Sequence, residues 1–140
     1  MPANNRYRKI LRFIPMVLWM SVIFILSSRT GDEVNTALPF FQSLMPWITD
    51  FNWGHYVAYF ILALTIDYAI GARAERIVWK VAIVIICGLY GVSDEWHQSF
   101  VGGRMMDIMD VRNDMIGAAC FVLLVAVPPI KKAWSKLKKE

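Results

Sequence analysis

Charge is what this chain has little of: 19% of its 140 residues are Asp, Glu, Lys or Arg, against 57% that are hydrophobic. A soluble domain of that size does not bury so much apolar side chain in its own core, so an ordinary water-soluble globule is excluded and something outside must cover the excess. Cysteine is nearly absent. Cys87 and Cys120 both fall in apolar blocks, where each behaves as a small apolar residue, and this excludes a disulfide framework without identifying a redox compartment. The chain also lacks internal repeats, low-complexity tracts and linkers, which leaves one helical domain over residues 1–140. No H-E-x-x-H, H-x-x-E-H or other motif of defined catalytic geometry occurs.

What is present is apolar residues in blocks, approximately Ile10 to Leu26, Phe51 to Ile70, Ile77 to Val92 and Met115 to Ile130. Each is near the roughly 17 to 25 residues that carry a helix across about 30 Å of hydrocarbon. The pattern predicts an all-α, polytopic bundle of four transmembrane helices, with spans at about 10–28, 52–71, 77–93 and 111–130. Arg12 and Lys80, just inside two of these ends, are expected to snorkel toward headgroups.

The net charge of +4 invites a nucleic-acid reading, but topology accounts for it without such a partner. Arg6, Arg8, Lys9, Arg12, Arg73, Arg76, Lys80, Lys131, Lys132, Lys136, Lys138 and Lys139, twelve of the fifteen basic residues, fall on one face of a four-span chain. The positive-inside bias makes that face cytoplasmic and puts both termini there. The other face holds Asp32, Glu33, Asp50, Asp94, Glu95, Asp107, Asp110 and Asp114 against Arg29, Arg104 and Arg112. The basic start followed by Phe13 to Leu26 also has the form of a secretory signal peptide, but cleavage after it would leave three spans and move one terminus outside.

The loops are unequal. GARAER is a tight turn with Gly71 as a helix C-cap, making the second and third spans antiparallel neighbours. The segment from Ser27 to Asp50 contains ALPFFQSLMPW, too short to cross, and is expected to lie at the interface with Trp47 and Trp53 as anchors. Pro128 and Pro129 stop or kink the last span, and KKAWSKLKKE reads as a basic tail on an anionic surface.

The chemistry concentrates in SDEWHQSFVGGRMMDIMDVRNDMIG, Ser93 to Gly117, a connector on the acidic face. Asp94 and Gln98 are one helical turn apart, and Asp107, Asp110, Asp114 and Gly117 recur every three or four residues with Asn113 beside them. Taken singly, Asp107 and Asp110 are explained as carboxylates favoured by the first turns of a helix beginning near Arg104. As a cluster they ask for more. Gly102 and Gly103 allow a turn that folds Arg104 back over DEWHQ, where a guanidinium among five carboxylates is a natural partner or anion clamp; without it the acids need a cation or shared protons. His55 and Tyr59 share a helix face and enter at the depth of Asp94 and His97, whereas Asp67 lies deeper and is expected to snorkel or to pair with Arg73 or Arg76.

These residues resemble the VanZ-like membrane proteins: a span ending in Ser27 and Ser28, a span opening with His55 then Tyr59, and an outer segment with Asp94, Glu95, Gln98, Gly103, Arg104, Asp107, Asp110, Asn113 and Gly117. The resemblance runs from Phe13 to Val127. One departure is Phe51 and Asn52, where the family pattern has an Asp-Lys pair just ahead of the His. The resemblance implies a bacterial cytoplasmic (inner) membrane location and an envelope role, since the founding member is associated with resistance to the glycopeptide teicoplanin. It supplies no mechanism.

Four readings stay open. A binding cleft for an envelope lipid, a lipid-linked cell-wall precursor or a glycopeptide would use Arg104, Gln98, Asp107, Asn113, Tyr59 and His97 as ligand contacts, with Trp96, Phe100 and Trp53 beside the ligand. A hydrolase or transferase acting at a phosphate would use Asp94, Glu95, His55 and Asp110, with His97 as a second proton carrier and a possible divalent cation on Asp94, Glu95, Asp107 or Asp110. A transporter would need more helices than four, hence an oligomer. The bland reading is that the polar stretch only ties helix ends together by salt bridges.

Overall fold

The computed structural model describes residues 3–47 and 50–138, all helix, turn or irregular chain. Its helices are α1 (Ala3–Leu11), α2 (Ile14–Ser27), α3 (Gly31–Leu44), α4 (Asn52–Ile70), α5 (Ile77–Gln98), α6 (Ile108–Leu124) and α7 (Pro128–Leu137). The protein is an all-α membrane helical bundle. Tyr7–Ser27, Asn52–Glu75 and Ile77–Gln98 are each long and apolar enough to cross a bilayer. A fourth candidate is the pair α6 and α7 taken together, which is apolar and long enough only as a unit and is bent by 94° at its break. Val17, Leu18, Ile25, Ile85, Leu89 and Leu123 stay exposed on the outside of the bundle, which is tolerable only where lipid replaces water.

Local sequence explains the breaks. Pro15 has no N–H and its ring opposes the carbonyl one turn earlier, so α1 and α2 are separated by a short turn within one span, bridged by Phe13 N–H to Ile10 O at 3.0 Å. Thr30 and Glu33 form a reciprocal capping box that starts α3, a 14-residue helix with none of its residues buried. Pro128 and Pro129 open α7, whose N-terminal positions need no hydrogen-bonded N–H. Cys87 is buried and Cys120 exposed, both as free thiols.

α4 is the central helix. Tyr59, Leu62, Ala63 and Ile66 pack with Ile83 and Cys87 of α5, Ala118 and Phe121 of α6 and Ile23 of α2. α6 crosses it at Gly117, where a Cβ would run into the Tyr56 carbonyl of α4, so the two backbones are in direct contact.

Three expectations about charge are corrected at the basic end. Asp67 pairs with neither Arg73 nor Arg76: its carboxylate, wholly buried, is held by Lys80 and by Lys138, the latter at 2.8 Å, and accepts Trp134 Nε1–H at 2.8 Å. Lys80 accordingly turns inward instead of snorkelling, and Arg12 donates to the Lys138 carbonyl at 2.6 Å. The tail is not simply a basic strip on lipid either. Lys138, 2% exposed, is drawn in by Asp67 and by Glu75 at 2.6 Å, and Ser135 donates to Glu75 at 3.0 Å, so α7 is latched onto α4 and onto the Gly71–Glu75 turn that follows it. The reason is electrostatic: a buried carboxylate needs cations at hydrogen-bonding distance, and the 94° bend swings one into reach. Lys139 lies outside the described residues.

Candidate functional site

The third span is longer than the sequence pattern predicted. α5 runs on to Gln98, five residues past Ser93, so Asp94, Glu95 and Gln98 belong to a helix and not to a connector. Polarity did not end the helix because these residues satisfy one another on one face. Gln98 Nε2 donates to Asp94 Oδ2 at 3.1 Å and to Glu95 Oε1 at 3.2 Å, while Glu95 Oε2 accepts the Asp107 backbone N–H at 2.8 Å. Only Ser99 to Asp107 forms the connection, and Asp107 ends it as the N-cap of α6, accepting from Met109 N–H at 2.8 Å.

Arg104 folds back over α5 as expected, through Gly103 at φ +73°, a conformation open to glycine without strain. Its partner differs from the expectation. Nε and Nη2 both donate to Gln98 Oε1, at 3.1 and 2.6 Å, and among the described residues no carboxylate lies within ion-pair distance of Arg104. Gln98 therefore relays between the arginine and two acids, its amide N–H groups facing Asp94 and Glu95 and its oxygen facing Arg104. Gln98→Leu, close in volume but unable to serve either side, is expected to lower stability by about 1–3 kcal/mol, measured by chemical unfolding in detergent. An unchanged midpoint would mean water replaces the amide.

From α4, His55 reaches across to α6. Its Nδ1 donates to Asp114 Oδ1 at 2.9 Å and its Nε2 lies 3.4 Å from Asp110 Oδ2. The next residue, Tyr56, donates to Asn113 Oδ1 of the same helix α6 at 2.7 Å. One donor atom each from His55, Glu95 and Asp110 falls within a 4.8 Å group.

These side chains floor a cleft of about 980 Å³. Trp19, Ile23 and Leu26 of α2 and Val34, Ala37 and Phe41 of α3 form an apolar wall; His55, Tyr59, Asp94, Gln98, Arg104 and Asp110 are among the residues that form the polar side. Four residues that line the cleft have a buried polar atom without a hydrogen-bond partner among the described residues, Ser27 Oγ, Trp53 Nε1, Tyr59 Oη and Asp94 Oδ1, and Asp114 Oδ2, outside the lining, is a further one.

The sequence-predicted residues thus divide. Of the catalytic candidates, His55, Asp94 and Asp110 line the cleft, while Glu95 is wholly buried and meets His55 and Asp110 only through the donor group. Among the ligand candidates, Arg104, Gln98, Asp107 and Tyr59 line the cleft. Asn113 instead bonds to Tyr56, and His97 packs its ring 4.4 Å from that of Phe24 and does not line the cleft. Of the metal candidates, Glu95 and Asp110 are in the donor group, whereas Asp94 and Asp107 are not, Asp107 being occupied with capping. Trp96 and Phe100 stack on each other, both largely exposed, away from the cleft. Phe51 packs against Phe41 at 5.4 Å, so the position that departs from the family pattern is filled by an aromatic cluster.

Tyr56 and Asp114 were missed as site residues. Asp114 lay in the repeating acidic stripe and was legible as spacing, but nothing in the sequence marks Tyr56 apart from its place next to His55.

A family model described as VanZ/LLP1 matches residues 11–129, nearly the whole chain and all of the cleft. The chain belongs to the VanZ/LLP1 family. No curated protein and no solved structure matches it. Every element of the VanZ-like pattern noted above now has a location: Ser27 at the end of α2 and Gly103 and Arg104 in the turn border the cleft, and Gly117 seats α6 on α4.

Proposed function

We propose that this VanZ-like protein is a multi-pass protein of the bacterial cytoplasmic membrane whose cleft opens at the external face and binds the headgroup and adjoining chain of an envelope lipid or lipid-linked cell-wall precursor. Sequestering or presenting such a ligand, or holding part of a glycopeptide, is how the family's association with teicoplanin resistance would apply to it. One observation carries the reading: a cleft of about 980 Å³ with an apolar wall on α2 and α3 facing a polar floor on α4, α5 and α6 has the two-sided chemistry of an amphiphile. Orientation is argued from charge. Arg12, Lys80 and Lys138 meet at the end opposite the cleft, and the positive-inside bias makes that end cytoplasmic. A mere salt-bridge tie between helix ends fits less well, because Arg104 engages an amide while acids beside it keep unpartnered oxygens.

The test is retention of a long-chain phosphorylated lipid against its uncharged alcohol, followed by native mass spectrometry of the protein released from nanodiscs. The phosphorylated form is expected to be retained preferentially. Arg104→Lys is expected to keep its helical content and lose about tenfold in affinity, about 1.4 kcal/mol, because an ammonium cannot hold Gln98 and a ligand anion in one plane. Full retention by this variant would rule out the clamp.

A second reading, a hydrolase or transferase acting at a lipid phosphate, is favoured by His55 standing between Asp110 and Asp114. Product formed from a labelled phosphorylated lipid and abolished by Asp94→Asn would establish it; retention without product supports binding alone.

A further inference from the structure

We infer that His55, Glu95 and Asp110 form the seat of one divalent cation at the floor of the cleft. Their donor atoms lie within 4.8 Å of one another, a spread that a slight inward closing converts to a single coordination sphere of roughly 2.0–2.2 Å bonds. The imidazole is already oriented for it. Asp114, behind His55, accepts the Nδ1 hydrogen at 2.9 Å and so leaves Nε2 toward Asp110, the arrangement that holds histidine ligands in metal sites.

Independent of that geometry, Asp94 is 6% exposed, lines the cleft beside the seat, and has an Oδ1 with no hydrogen-bond partner among the described residues. The hydroxyl of Tyr59, 1% exposed and also lining the cleft, has none either. An aquo ion would supply what these atoms lack. Charge points the same way: Glu95, Asp110 and Asp114 gather around one imidazole, Asp94 shares the Gln98 amide with Glu95, and among the described residues no Lys or Arg makes an ion pair with any of the four. One nitrogen with two carboxylates suits Zn²⁺ or Mn²⁺ better than Mg²⁺ or Ca²⁺, which favour oxygen ligands. His55 and Asp110 both line the cleft, so the ion would present its open positions to a phosphate or carboxylate group there. That contact rests on the lipid-binding reading; the seat itself does not.

The experiment uses the full chain in nanodiscs, stripped with EDTA and titrated with Mn²⁺ by electron paramagnetic resonance and with Zn²⁺ by calorimetry. One ion per chain is expected, with ¹⁴N coupling from imidazole in the Mn²⁺ signal. Glu95→Gln and Asp110→Asn, both nearly isosteric, are expected to weaken binding at least tenfold while keeping wild-type circular dichroism, and the exposed Asp32→Asn is expected to leave it unchanged. No saturable binding of either ion, equal binding by both cleft variants, or bound Mn²⁺ without ¹⁴N coupling would overturn the seat. Should the variants misfold, the wild-type stoichiometry and nitrogen coupling still decide. Lipid retention that survives EDTA alongside no saturable ion binding sinks the seat and leaves the cleft reading standing; a bound ion without lipid retention does the reverse.

Discussion

Asp67→Ala is expected to destabilise the protein by about 3–5 kcal/mol, the usual cost of stranding buried charge, and to release α7 from the bundle. The Lys80 and Lys138 side chains are 12% and 1% exposed, and Asp67 is the carboxylate both of them meet. Without it Lys138 keeps, among the described residues, Glu75 alone, a partner that is itself partly exposed, and Lys80 loses its ion pair. Unfolding by a denaturing detergent measures the first effect, and protease cutting between Val125 and Pro128 the second. Asp67→Leu combined with Lys138→Met should recover much of the loss, since removing both partners leaves less buried charge unpaired. A single-variant loss below about 1 kcal/mol would mean that water already reaches this end and that the latch is weak.

Gly117→Val is expected to damage both stability and ligand retention, by about 1–3 kcal/mol and about tenfold respectively. A Cβ at 117 would overlap the Tyr56 carbonyl and lie within 2.9 Å of its Cα and carbonyl carbon, so α4 and α6 must move apart. The neighbouring contacts span the same interface. His55 meets Asp110 and Asp114, and Tyr56 meets Asn113, across the two helices that would separate, so the polar floor should open along with the packing. A variant that loses stability but retains lipid at wild-type affinity would show that the floor is not needed for binding. Gly117→Ala, adding the Cβ alone, should fall between the two.

The crossing helices were legible because composition and block length are properties of a chain in a bilayer, whatever its neighbours do. The acidic cluster was legible too, as spacing: Asp94 to Gln98 and Asp110 to Asp114 each mark one helical turn. Less was legible about partners. Arg104 was read as an arginine among carboxylates, yet it bonds to Gln98, because the turn at Gly103 lays it along α5 where the amide projects. His97 shares the depth of His55 in sequence, but on α5 its ring packs against that of Phe24 of α2 and does not line the cleft. Asp67 was matched with the nearest arginines in sequence, while its partners come from 13 and 71 positions away.

From the order of residues alone follow the all-α class, the apolar spans, the basic and acidic ends and the list of groups able to do chemistry, because hydrophobic length and helical periodicity are local. Tertiary structure decided which of those groups meet: the α4–α6 contact at Gly117 brings His55 to Asp110 and Asp114, and the bend after α6 brings Lys138 to Asp67. Such meetings depend on the angle and register at which helices cross, and those are set by packing between distant segments that no local pattern records.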